Sequence, residues 1–233
     1  MNTIRSFWNE LVEIPLRNAI LILLVLLVGV HVYDSQPWPM VDVAEGAVRS
    51  VVVIECTDGT SYATTAGFVS SKYGHVITVA HGLAECLGKK EKNITVRFWD
   101  DPKIPYRAKI IKYDALADDA LLQVPNAPRD IKPLAIAVEI QRQGARTLAI
   151  GHPQLFYWSV TFGIVSADRM LMEPPRHIIQ VSSLINSGNS GGPIVNDKAE
   201  VIGIASFNIG GNPTLGFLVP GDVIAKLMNG TYH

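Results

Sequence analysis

Three short segments hold the residue types that could activate a nucleophile. Gly188-Asn189-Ser190-Gly191-Gly192-Pro193 sets a serine among glycines. A serine hydroxyl is a poor nucleophile at neutral pH; it needs a base within hydrogen-bond reach, and that base needs an orienting carboxylate. Glycines allow the tight turn and close approach such a serine requires. The same turn can aim the backbone N–H groups of Gly188 and Ser190 at one point, where a developing oxyanion would be stabilised. Val76-Ile77-Thr78-Val79-Ala80-His81-Gly82 ends a hydrophobic run on a histidine, and Asp118-Asp119-Ala120-Leu121-Leu122 opens another with an acid. The order is His, Asp, Ser, with separations of 37 and 72 residues. The chemistry would be attack by Ser190 on a carbonyl carbon, with His81 as base, Asp118 orienting it, and Gly188 and Ser190 as oxyanion donors.

Other residues compete for these roles. His75 lies six residues before His81, at a strand start after Gly74, and reads as a surface residue. His152 and His177 lie far along the chain and read as structural histidines of a loop or a strand face. Asp119 and Asp114 compete with Asp118. If the acid lies in a strand, alternate residues face opposite sides, so only one of Asp118 and Asp119 can meet His81.

The elements that must position these groups are short strands. From Glu45 onward the expected first set is 48–56, 66–70, 75–79, 94–98, 108–112 and 120–124. Pro125, Pro128 and Pro133 then mark a lobe boundary, giving an N-lobe over about 45–128 and a C-lobe over about 133–228. The second set is 147–150, 159–165, 177–181, 192–195, 201–205 and 216–219. One helix is expected in this region, Gly221–Met228 after Pro220. Many short strands at regular spacing argue for an all-β sandwich or barrel. His81 and Asp118 then fall in the first lobe and Ser190 in the second, with the site in the cleft between them.

Taken together, these motifs resemble the chymotrypsin-like (trypsin-like) serine peptidases, and within them the HtrA/Deg-type branch. The similar stretches are Ile77-Thr-Val-Ala-His81, Asp118-Asp-Ala-Leu-Leu122, Gly151-His-Pro153, Val160–Ser166, Ile185–Val195, Val201–Ile204 and Gly216–Pro220. They cover about residues 45–228 in order. The resemblance implies two six-stranded β-barrels, a polypeptide substrate and endopeptidase activity of the kind that serves protein quality control, and it selects Asp118 over Asp119. It also implies a side-chain pocket floored by Leu184 and walled by Ser206, Phe207, Asn208 and Gly216. None of these is acidic, so nothing would pair with Arg or Lys, and cleavage after small or medium aliphatic residues is expected. Three departures stand out: only 13 residues follow Pro220, too few for a PDZ domain; Cys56–Phe68 is too short for a long regulatory insertion; and Val181-Ser-Ser-Leu184 replaces an Asp-containing stretch. Rival readings are a catalytically idle peptidase-fold binding module and a dedicated processing protease of the viral type.

Composition excludes other classes. The 233 residues are 48% hydrophobic and 18% charged, with net charge -1. That composition supports a real core and argues against disorder. No basic stripe points to nucleic acid; the run Lys89-Lys-Glu-Lys92 reads as a solvated turn. No CxxC or HExxH spacing suggests a metal, and no cofactor is expected. Cys56 and Cys86 read equally well as a disulfide or as two small buried hydrophobes.

The N-terminal 33 residues read as a separate segment. Residues 18–33 carry no Asp, Glu, Lys or Arg, and Ala19–Val30 is a purely apolar run. No Ala-x-Ala cleavage signal follows, and Phe7, Trp8, Tyr33 and Trp38 flank the run. This favours a single-pass anchor helix over a secretory signal removed by cleavage. Arg5 and Arg17 precede the run and the next basic residue is Arg49, so the C-terminal bulk is expected on the outer side of a membrane. Residues 34–44, with Pro37 and Pro39, read as a linker.

Overall fold

The computed structural model describes residues 16–34, 40–57, 60–87 and 93–229. Residues 1–37 form one unit and 38–233 another. Within the first unit, α1 (Leu16–Asp34) forms over the expected apolar stretch, and the side chains from Ile20 to Leu27 are exposed. The spanning segment expected there is not supported: among the described residues, no helix is long and apolar enough to cross a membrane. Phe7, Trp8 and Trp38, expected to form part of an aromatic belt, and the Lys89–Lys92 run lie outside the described residues.

The second unit holds two closed barrels of six strands each. The first comprises β1 (Val51–Thr57), β2 (Tyr62–Val69), β3 (His75–Thr78), β4 (Asn93–Phe98), β5 (Asp101–Asp114) and β6 (Asp119–Gln123), in spatial order β1-β2-β3-β6-β5-β4. The second comprises β7 (Arg146–Gly151), β8 (Ser159–Met172), β9 (Pro175–Val181), β10 (Pro193–Val195), β11 (Val201–Ile209) and β12 (Asn212–Pro220), in order β10-β11-β12-β9-β8-β7. All strand pairs within the barrels are antiparallel.

Several strands are apolar on both faces because both faces are buried. Val76 and Leu122 point into the first barrel with Val52, Ile54 and Val96. Their neighbours Ile77 and Leu121 point the other way, into a layer shared with Leu148, Ile150, Val195 and Ile204 of the second barrel. A two-residue period thus divides each of these strands between barrel interior and inter-barrel contact. Truncating a fully buried leucine such as Leu121 to alanine in such a layer costs about 2–5 kcal/mol. The second barrel's interior is lined by Ala149, Val165, Ile179, Val181 and Leu218.

Two local departures from the sequence reading have physical causes, and one open alternative is decided. The expected linker 34–44 gives way at Met40 to helix α2 (Met40–Val48), which buries Val43, Ala47 and Val48 in the inter-barrel layer. Tertiary burial stabilises this two-turn segment, which is too short to be stable alone. β5 and β8 run 14 residues each, beyond the apolar stretches at 108–112 and 159–165, because ladder pairing continues through their polar, exposed ends. Cys56 and Cys86 are disulfide-bonded, with Cα atoms 5.8 Å apart. This ties β1 to the 3₁₀ turn His81–Cys86. Helix α3 (Gly221–Met228) matches the expectation, with Asp222 in its first turn complementing the helix dipole.

Candidate active site

His81 begins the 3₁₀ turn that leaves β3. The turn lies close against β2: a Cβ on Gly82 would sit 2.7 Å from Thr65 Oγ1, so a larger residue would push His81 away. Asp118 does not lie in a strand. It precedes β6 with a left-handed φ of 61°, which costs a non-glycine residue roughly 1–2 kcal/mol. The conformation turns its carboxylate back to His81. Oδ1 accepts the His81 backbone N–H at 3.0 Å, and the His81 Nδ1–H lies 2.9 Å from Oδ1 and 3.0 Å from Oδ2. Ser206 Oγ donates to Oδ2. Because the carboxylate accepts, Nδ1 carries the ring proton and Nε2 is left as the basic nitrogen. Burial alone would push the Asp118 carboxyl up, but hydrogen bonds from His81 and Ser206 outweigh it and hold it below the usual carboxylate range.

The Ser190 loop is built between the barrels. The carbonyl of Ser190 accepts hydrogen bonds from Thr65 Oγ1 at 2.6 Å and the Ala66 N–H at 2.8 Å, both on β2. Gly191 N–H donates to Ala205 O at 2.7 Å and Gly192 N–H to Asn189 O at 2.9 Å. At Gly191 the φ is +80° and a Cβ would fall 2.2 Å from Ala66 O, so only glycine fits. Among the described residues, neither the Gly188 N–H nor the Ser190 N–H has a hydrogen-bond partner. Ser190 Oγ donates to Ser206 O at 3.3 Å, and no hydrogen bond joins it to His81. A hydrogen bond between nucleophile and base is often long or unformed before substrate binds and tightens only with substrate present.

The residues expected to line a pocket part company. Leu184 is partly exposed and adjoins Ile185, whose carbonyl accepts from Asn208 Nδ2 at 2.8 Å. Gly216 pairs with Asn208 across the β11–β12 ladder, and a Cβ on it would lie 2.4 Å from Ile185 Cγ1. Asn208 and Gly216 therefore meet at Ile185, whose side chain packs against the glycine. The Ser206 side chain is buried and bonded to Asp118, so that only its backbone is left to wall a pocket beside Ser190. Phe207 also turns elsewhere, stacking on Phe217 at 4.9 Å with the Arg176 guanidinium over its ring.

The competing residues are occupied elsewhere. His75, expected at the surface, is 7% exposed; its Nδ1 meets Ser71 Oγ at 2.8 Å, and burial pushes its imidazole down. Asp114 accepts the N–H groups of Leu116 and Ala117 and shapes the turn before Asp118. His177 Nε2 pairs with Asp168 at 2.5 Å across the β8–β9 ladder. Asp119 makes none of the bonds to His81, is 2% exposed, and has no hydrogen-bond partner for Oδ1. Burial, then Asp114 and Asp118, push its carboxyl up to about 7. His152 is fully buried, and burial pushes it down to about 4 against a hydrogen bond to Val52 O. Among the described residues no group of three or more His, Cys, Asp or Glu is arranged to hold a metal.

Sequence reasoning missed the support given by Ser206, Thr65 and His152. Nothing local marks Ser206 as a partner of Asp118, 88 residues away. His152 carried a weak signal, since it sits inside the motif Gly151-His152-Pro153.

The barrels and this geometry define the class. The family model for the trypsin-like peptidase domain matches residues 65–204. The chain belongs to that family. A protein of Pseudomonas putida (strain GB-1), named as a DegP-like periplasmic serine endoprotease, is 37% identical over 168 residues, covering 70% of this chain and 34% of its own. The periplasmic serine endoprotease DegP of Salmonella typhimurium is 33% identical over 166 residues, covering 68% and 33%. The chain spans about a third of the length of the curated relatives it matches. Among solved structures, the Rv3671c protease from M. tuberculosis in its active form aligns with a TM-score of 0.71 at 25% identity, over 83% of this chain and 87% of that one. The HtrA-type protease AlgW with a tripeptide aligns with a TM-score of 0.71 at 25% identity, over 82% and 62%.

Proposed function

We propose that the protein is a serine endopeptidase of the HtrA/DegP type that cleaves polypeptides through Ser190, His81 and Asp118. The carrying observation is the bond from His81 Nδ1 to Asp118, which leaves Nε2 as the base, with Ser206 bonded both to Asp118 and to Ser190 Oγ. In the reaction, Ser190 Oγ attacks the scissile carbonyl carbon while Nε2 takes its proton. The tetrahedral oxyanion receives the N–H groups of Gly188 and Ser190. His81 then returns the proton to the leaving amine, and water hydrolyses the acyl-enzyme by the same route. Labelling with a serine-directed fluorophosphonate tests this: the wild type should take up label at Ser190 and lose activity, and Ser190→Ala should take up none. Uptake by neither protein would favour an idle binding module.

The proposed substrate preference rests on the lack of an acidic side chain among Leu184, Ser206, Phe207, Asn208 and Gly216, with Ile185 crowding Gly216. Cleavage after small or medium aliphatic residues is the reading this supports. A peptide library in which Arg or Lys dominated before the cut would overturn it.

The catalytic unit is placed outside the cytoplasm, in keeping with the periplasmic naming of the relatives. The twelve-residue apolar run Ala19–Val30, about 18 Å as a helix, supports attachment to a membrane that it would cross only with local thinning. Carbonate extraction from cells that released intact chains into the supernatant would exclude attachment. A new N-terminus near Tyr33 would show a removed signal instead.

A further inference from the structure

The seven residues from His152 to Trp158 form an unusual loop. Three of its non-glycine residues hold left-handed backbone: Gln154 at φ 50°, Leu155 at 67° and Trp158 at 56°. Such conformations persist only where surrounding bonds over-determine them. His152 supplies those bonds. Its imidazole is fully buried, and both ring nitrogens are engaged. Nδ1 accepts the Trp158 N–H at 2.9 Å, closing the loop on itself, and Nε2 lies 3.0 Å from Val52 O on β1 of the other barrel. A carbonyl only accepts, so the proton sits on Nε2 and the ring is the neutral Nε2–H tautomer. Trp158 adds a second tie across the barrels, from Nε1 to Val51 O at 2.9 Å.

The other side of this loop meets the oxyanion turn. The His152 N–H donates to Gly188 O at 3.1 Å, and the Gln154 N–H donates to Ser187 O at 3.0 Å. The Ser187 carbonyl belongs to the same peptide as the Gly188 N–H, and the Gly188 carbonyl to the next one. A peptide is planar, so fixing the Ser187 carbonyl fixes the direction of the Gly188 N–H. Contact is tight: a Cβ on Gly188 would fall 2.1 Å from His152 O.

We infer that His152 is a positioning residue for the oxyanion hole, acting through its loop to aim the Gly188 N–H and referencing that aim to the first barrel through Val52. It touches neither substrate nor reacting atoms. The neutral ring suits the role, since burial keeps it deprotonated at Nδ1 far into acid. The inference rests on the peptidase reading, because an oxyanion donor has meaning only there.

The test compares the full chain with His152→Ala, His152→Asn, His152→Gln and Ser190→Ala. Oxyanion donors act in the transition state, so His152→Ala should lower kcat about ten- to a hundredfold, with KM within about twofold of wild type. Affinity for a peptide aldehyde, which forms a tetrahedral adduct, should fall by the same factor as kcat/KM. Asn retains an acceptor for the Trp158 N–H, and Gln a donor for Val52 O. Both should recover several-fold over Ala, with Asn the better because its bond closes the loop. A raised KM at unchanged kcat overturns the inference, as does an Asn variant no better than Ala. The amide resonance of Gly188 gives a readout independent of turnover: it should move in His152→Ala and also when that change is made in the Ser190→Ala background. A folded His152→Ala protein with the Gly188 amide unmoved refutes the inference. Full hydrolysis by Ser190→Ala would instead refute Ser190 as the nucleophile, leaving the Gly188 amide to decide the role of His152.

Discussion

The two barrels contribute to the cleft in different ways. On the first barrel, His81 and Asp118 are bonded to each other and supported: Asp118 accepts from a ring N–H, a backbone N–H and a hydroxyl. On the second barrel the working groups have spare capacity. The N–H groups of Gly188 and Ser190 lack partners among the described residues, and Ser190 Oγ rests on a carbonyl at 3.3 Å. In the proposed mechanism the base is thus complete before substrate arrives, while the nucleophile and oxyanion donors are left for a group still to come. Preorganised donors avoid the cost of reorientation during reaction, and satisfying them with protein atoms would remove their use.

The contrast can be broken from either side. Ser190→Ala should produce the largest effect, a loss of about 10⁴–10⁶ in kcat with the fold intact by circular dichroism. Asp118→Asn, on the completed side, should cost about 10⁴ in kcat by leaving His81 in the wrong tautomer. Ser206→Ala removes one charge-assisted bond to Asp118, a contribution of about 1.5–3 kcal/mol, and should lower kcat about ten- to a hundredfold with KM nearly unchanged. If Ser206→Ala raised KM alone, the residue would belong to the substrate pocket as the sequence suggested.

The smallest effect on catalysis is expected at Asp119. Asp119→Asn should leave kcat/KM within about threefold, and a loss near that of Asp118→Asn would reverse the choice of carboxylate. Stability is where Asp119 should register. Its folded carboxyl stays protonated to about 7, while the unfolded one ionises near its ordinary value of 3.8. Between those values the folded state holds the extra proton, so stability falls as pH rises through this window. Asp119→Asn should therefore raise Tm most above about pH 7, with the gain shrinking toward pH 4. A Tm difference independent of pH between 4 and 8 would contradict the buried, protonated acid.

The legible part of the site was the part that glycine and strand chemistry mark locally. Ser190 announces itself through Gly188, Gly191 and Gly192, at least two of which need positive φ. His81 follows an apolar run whose two faces, Val76 and Ile77, are both buried. The strand order was legible in outline, but the polar ends of β5 and β8 were not, because their pairing depends on neighbours rather than on apolar content. Helix α2 was hidden for a similar reason, being short and stabilised by the inter-barrel layer it caps.

The sequence by itself determined the residue types of the proposed nucleophile, base and acid, their order, and the alternating patterns that allow two barrels. It could not decide on physical grounds which acid meets His81, because strand alternation separates Asp118 from Asp119 only if both lie in β6. The choice comes from a left-handed residue just before the strand, held by three donors that are distant in sequence. Only the tertiary structure assigned Ser206 to Asp118 and His152 to the loop beside Gly188. These are contacts between elements tens of residues apart, and no local pattern encodes which buried polar groups will find each other when the barrels close.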